Sequence, residues 1–129
     1  MSDPAKAEIL ELNRQLLESI ATGDWKTYAA LCDPTLTCFE PEARGHLVEG
    51  MDFHRFYFDL GPSKGPRTTS MASPHVRVMG DAAVISYIRL VQRLDGGGSP
   101  TTAAIEETRV WQLQNGQWRH VHFHRSPCA

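Results

Sequence analysis

One stretch constrains this chain more than any other: residues 105–125, IEETRVWQLQNGQWRHVHFHR. It reads as two β-strands closed by a turn at Asn115-Gly116, a strong short-range hairpin signal. Successive strand residues point to opposite faces. Ile105, Glu107, Arg109, Trp111 and Leu113 therefore share one face of the first strand, and Arg119, Val121, Phe123 and Arg125 one face of the second. An earlier segment repeats the theme with Ile85, Tyr87, Arg89 and Val91. Three strands that each set an arginine into an apolar face predict a buried, positively charged pocket. Whether Arg109 and Arg125 meet depends on register, because a slip of one residue turns a whole strand over. A two-residue loop pairs Leu113 with Trp118 and parts the two arginines. A three-residue loop, Gln114-Asn115-Gly116 with a bulge at glycine, pairs Leu113 with Gln117 and brings them together. The hydrophobic pattern favours the three-residue loop.

The rest of the chain reads as helices followed by strands. Asp3-Pro4 is a helix start, a capping carboxylate before proline. Ile9, Leu12, Leu16, Leu17 and Ile20 then recur at helical spacing, with Glu8, Glu11, Arg14, Gln15 and Glu18 on the other side. Gly23 ends this helix, and Asp24 caps a second over Trp25–Cys32 that stops at Asp33-Pro34. Leu36–Phe39 is a short strand candidate, with another brief one near His46–Val48. Met51–Phe58 is an aromatic-rich helix, and GPSKGP a flexible loop. Strands follow at Thr68–Ala72, His75–Met79 and Ala83–Leu94, with turns at Gly80-Asp81 and DGGGSP. Helices first and an antiparallel meander after them define an α+β fold. A length of 129 residues fits a single domain, 1–129.

Charge and composition exclude several function classes. The net charge of −2 and the lack of basic runs argue against nucleic-acid binding. No signal peptide or membrane span is evident. Cys32, Cys38 and Cys128 are odd in number and widely spaced, which fits reduced thiols in a cytoplasm. The strand Ala83–Leu94 is apolar on both faces: Val84, Ile88 and Leu90 on one, Ile85, Tyr87 and Val91 on the other. One helix covers only one face, so a second copy of the chain is the simplest cover for the other, and a homo-oligomer is expected.

The segments FEPEARGHLVEGMDFHRFYF, SYIRL, EETRVW and VHFHRS, set in this order along the chain, resemble the association, or hub, domain of calcium/calmodulin-dependent protein kinase II. The resemblance runs from about Glu8 to Ser126. It implies a cone-shaped fold like that of nuclear transport factor 2, with a curved sheet wrapped on a long helix. It also implies closed rings of stacked dimers, commonly of twelve or fourteen subunits. In that family a central cavity holds arginines that match Arg89, Arg109 and Arg125, with a histidine matching His54, and can accept small carboxylates. The loop DLGPSKGP departs from the family pattern, being shorter and lacking a tryptophan near the pocket. The sequence carries no kinase motif, calmodulin-binding segment or long linker. The expectation is a free-standing hub-like protein, a piece of a longer chain being the alternative.

The candidate anion site is thus Arg89, Arg109, Arg125 and His54. The bland alternative for the arginines is pairing with Glu40, Glu106 or Glu107, or an escape to the surface, since a buried charge requires a partner. His120, His122 and His124 alternate along one face but lack a fourth ligand for zinc, so no metal and no cofactor is expected. An enzyme of isomerase, dehydratase or cyclase type is the rival reading, with Asp52, His54, Tyr87 and Glu107 as its available acid–base groups. An arginine-rich pocket suits holding an anion better than abstracting a proton. The expected function is non-enzymatic: a scaffold that self-assembles, with a small carboxylate as its possible ligand.

Overall fold

A computed structural model describes residues 3–62 and 65–128. Ser63 and Lys64, in the middle of the expected GPSKGP loop, and Met1, Ser2 and Ala129 lie outside these residues. The fold is α+β. Three helices, α1 (Pro4–Thr22), α2 (Trp25–Leu31) and α3 (Asp52–Asp59), accompany six strands. These are β1 (Cys32–Phe39), β2 (Val48–Glu49), β3 (Arg67–Met79), β4 (Ala82–Leu94), β5 (Pro100–Gln114) and β6 (Gln117–Pro127), in the sheet order β2-β1-β6-β5-β4-β3. Neighbours are antiparallel except β1 and β6, which run parallel.

Helix α1 forms where its caps and stripe require. The Asp3 carboxylate accepts from the Ala5 amide at 2.9 Å, and Pro4 occupies the first helical turn. Gly23 ends the helix at φ +71°, with the Asp24 amide donating back to the Ser19 carbonyl at 2.8 Å. Ile9, Leu16 and Leu17 of the stripe are buried against β3 and β4. Asn13 on the same face accepts from the Trp111 indole N–H at 3.1 Å, so a polar bond crosses the core from α1 to β5. On β4 the buried residues are Ala83, Ile85, Tyr87, Arg89 and Val91, while Val84, Ile88 and Leu90 on the other face are half-buried.

Three expectations need correction. First, the hairpin between β5 and β6 has the two-residue loop, with Leu113 opposite Trp118 and both Asn115 (φ 51°) and Gly116 (φ 80°) left-handed, as a type I′ turn requires. The arginines still share a face, because the ladder shifts further along: Val110 faces His122 while Trp111 faces His120. The extra residue, Val121, reverses the parity of everything beyond it. Trp118 and His120 are therefore the inward residues before the bulge, in place of Arg119 and Val121, and Phe123 faces Arg109 after it. Second, Thr68–Ala72 and His75–Met79 belong to one strand, β3, bent where Ser73 takes φ 51°. Third, α2 ends at Leu31, and β1 begins at Cys32 and runs through Asp33-Pro34. Its first residues face β6, where a strand outcompetes another helical turn.

Candidate functional site: an arginine–carboxylate cluster in the cone

The cavity between the sheet and α1, α2 and α3 has a volume of about 350 Å³. Arg89, Arg109, Arg125 and Phe123 form its floor, and Ile20, Tyr28, His54, Tyr57 and Phe58 its walls, with Glu40 and Glu42 at one side. All four residues expected in the site line this one space. Arg89 comes from β4, Arg109 from β5 and Arg125 from β6, adjacent strands that hold three guanidiniums side by side.

Carboxylates hold them there. Glu107, whose side chain is fully buried, lies 3.0 Å from Arg109 Nη2, 3.5 Å from Arg89 Nη1 and 3.8 Å from Arg125 Nε. The Tyr87 hydroxyl donates to the same carboxylate at 2.5 Å and accepts from Arg109 Nε at 2.9 Å. Burial works against the charge on Glu107, but Arg109 and Arg89 outweigh it and hold the group below the usual carboxylate range. Arg125 reaches Glu42 at 2.7 Å and Glu40 at 3.3 Å. Of the pairing partners weighed from sequence, Glu40 and Glu107 take part and Glu106 is exposed on β5. Glu42 had no sequence signal beyond its place in a loop. Three guanidiniums thus meet three carboxylates. The Nε of Arg125 is nonetheless buried with no hydrogen-bond partner among the described residues.

His54 sits in the first turns of α3, with Phe123 and Tyr28 rings 5.5 and 6.2 Å away. Burial and the nearby Arg109 push it down to about 4, so its imidazole is neutral at physiological pH. The 3.7 Å approach of its Nδ1 to Glu40 is therefore a contact between a neutral ring and a carboxylate. Cys38 Sγ lies 3.8 Å from the Nε2 of the same ring. Cys38, Glu40 and His54 bring three metal-type donors within 4.8 Å of one another. The local chemistry opposes a cation, however. The two ring nitrogens face different neighbours, burial and Glu40 push the thiol up to about 12, and Arg125 already occupies Glu40.

The three histidines of β6 do not share a face, because the bulge divides them. His120 is fully buried, with Nε2 accepting from Arg109 Nη1 at 3.4 Å and Nδ1 against Cys32 Sγ at 3.3 Å. Burial and Arg109 hold it well below its ordinary value, so it is a neutral support for Arg109. His122 and His124 lie on the other face beside the Phe39 ring. Of the acid–base groups named for an enzyme, Asp52 is exposed on α3, Tyr87 and Glu107 are bound to each other, and His54 reaches the cavity.

The sequence profile of the calcium/calmodulin dependent protein kinase II association domain matches residues 5–129. The chain belongs to that family. It is 56% identical over 124 residues to the delta subunit of calcium/calmodulin-dependent protein kinase type II from Oryctolagus cuniculus, covering 94% of this chain and 23% of that protein. It thus spans about a quarter of the curated relative it matches. The solved hub homology domain from Chlamydomonas reinhardtii is 53% identical, with a TM-score of 0.90 over 97% of this chain and 99% of the other. A nuclear transport factor 2-like superfamily protein from Salmonella enterica is 26% identical, with a TM-score of 0.76 over 96% and 91% of the two chains. The cone of this association domain is therefore nuclear transport factor 2-like.

Proposed function

We propose that this chain is a self-assembling association domain whose inner cavity binds a small carboxylate. Membership of the association domain family over residues 5–129 carries the assembly reading. The half-buried apolar row Val84, Ile88 and Leu90 supports it, because a second copy would remove that row from water. Rings built from dimers, with twelve or more subunits, are the assembly we expect. Native mass spectrometry of the purified chain tests this: a mass of twelve or more protomers is the expected result, and a plain dimer excludes the ring.

The convergence of Arg89, Arg109, Arg125 and His54 on one cavity carries the ligand reading. Guanidiniums grip planar carboxylates through paired N–H donors, and Arg125 keeps an unused buried one. Calorimetric titration with butyrate should give saturable binding that Arg125→Ala abolishes; no heat with the parent chain overturns the ligand reading. The rival, an isomerase, dehydratase or cyclase, rests on His54, a neutral base lining the cavity. A base held so low removes protons weakly, so we read the domain as non-enzymatic. The free thiols Cys32, Cys38 and Cys128 fit a cytoplasmic setting. No described helix is long and apolar enough to cross a membrane.

A further inference from the structure

The charge count of the cavity limits how an anion can enter. Arg89, Arg109 and Arg125 are already balanced by Glu107, Glu40 and Glu42. A carboxylate arriving alone would leave an unbalanced negative charge in a buried site, and low dielectric makes such a charge unfavourable. One of the resident carboxylates must therefore give way. Glu107 cannot, since its side chain has no solvent contact and is fixed by Tyr87, Arg89 and Arg109. Displacing Glu42 from Arg125, which it meets at 2.7 Å, would exchange one carboxylate contact for another and gain the anion nothing. Glu40 is the remaining one, with 8% of its side chain exposed, and it forms part of the cavity wall.

We infer that anion binding in this cavity is proton-linked: a carboxylate enters together with one proton, which Glu40 takes up. The inference rests on the anion-pocket reading above and specifies how that site is regulated. The surroundings of Glu40 favour it over the other groups that could take the proton. Glu42 in the 3₁₀ turn Pro41–Ala43 adds negative charge, Glu107 on β5 shares Arg125 with Glu40, and Arg125 on β6 and Arg109 on β5 oppose the rise in the Glu40 pKa. Cys38 on β1, two residues before Glu40, and Tyr28 on α2 are neutral, both being held high by burial. His54 on α3 presents Nδ1 to Oε1 of Glu40 but is held low by burial and Arg109, so it is the poorer acceptor. Burial and Glu42 leave the Glu40 carboxyl above its ordinary range even before an anion arrives. A second carboxylate against Arg125 would raise it further, as when two carboxylates share one proton. The proton comes from solvent and returns there when the anion leaves; no covalent bond changes.

Linkage gives the readout. Where Glu40 is ionised in the free protein and protonated in the complex, affinity rises about tenfold for each unit fall in pH. Titrating the full 129-residue chain with butyrate at neutral pH, in two buffers of different ionisation enthalpy, counts the protons taken up per anion bound. The expected count is close to one for the parent and close to zero for Glu40→Gln, which should bind butyrate more tightly and without pH dependence. Butyrate binding with no proton uptake by the parent overturns the inference and leaves the anion pocket standing. Uptake that persists in Glu40→Gln assigns the proton elsewhere and also overturns it. No binding at all overturns both. Native mass spectrometry of each variant confirms that the comparison is made between intact assemblies.

Discussion

The hydroxyl of Tyr87 donates to Glu107 at 2.5 Å while accepting from Arg109 at 2.9 Å, so one phenol joins the acid to the base across two adjacent strands. Its loss should be felt as the loss of a buried bond to a charged group. Tyr87→Phe is expected to destabilise the chain by about 1.5–3 kcal/mol. Urea titration at fixed protein concentration measures it, because the unfolding of any oligomer depends on concentration.

Glu107 is the more severe case. Glu107→Ala leaves Arg89 and Arg109 buried with their main counter-charge gone. Breaking a buried pair from one side costs about 3–5 kcal/mol. We expect Glu107→Ala to fold poorly. A double variant, Glu107→Ala with Arg89→Met, should recover part of the loss in the same titration.

Stability should fall as pH drops below the ordinary histidine range. His54 and His120 are neutral in the folded state, with values depressed by burial and then by Arg109. Below the ordinary value of 6.5 the unfolded chain takes up protons that the folded one refuses. The stabilisation is complete above about pH 6.5, and the part from His54 is lost progressively toward about pH 4. Urea midpoints across this range should show the slope, and His120→Gln should reduce it by about one proton's worth, about 1.4 kcal/mol per pH unit. An unchanged slope in His120→Gln would show that His120 titrates normally.

Gly23 is required twice over. Its φ of +71° disfavours any side chain, and an added Cβ would lie 3.0 Å from Pro62 Cδ. Gly23→Ala should lower stability by about 1 kcal/mol or more. Thermal unfolding followed by circular dichroism is sufficient to detect it.

The bulge at Val121 makes the sharpest prediction. Deleting Val121 would turn Phe123 and Arg125 to the outer face, emptying one side of the cavity and burying polar side chains in their place. The deletion is expected to prevent soluble folding. Shortening the loop around Gly96–Gly98 by one residue, which lies in the exposed β4–β5 connection, should leave the fold intact. Soluble expression and assembly mass compare the two.

Much of this architecture was legible in the sequence, because caps and periodicity act locally. Asp3-Pro4, Gly23 and Asp24 bound the first two helices as their chemistry requires, and the stripe from Ile9 to Leu17 is the buried face of α1. Alternation found Arg89, Arg109 and Arg125 facing one space. The turn was read less well. Its two-residue geometry and the distant bulge compensate each other, and a one-residue irregularity in mid-strand leaves no mark in an alternating pattern. His120 was missed for the same reason, lying before the bulge and so facing inward. Glu42 and Tyr28 reach the cavity through tertiary placement of a loop and a short helix. No local pattern encodes that placement.

The parallel pairing of β1 with β6 has a consequence in time. Strand β1 precedes the other described strands in sequence, and its neighbour β6 follows them all. The Arg125–Glu40 contact joins residues 85 positions apart, and loops of that length close slowly. During synthesis α1 can find β3 and β4 early, but the cavity stays open along one flank until the final strand slides in beside Cys38. Strand β6 therefore closes the sheet and the cavity in one step, and the earlier elements wait for it.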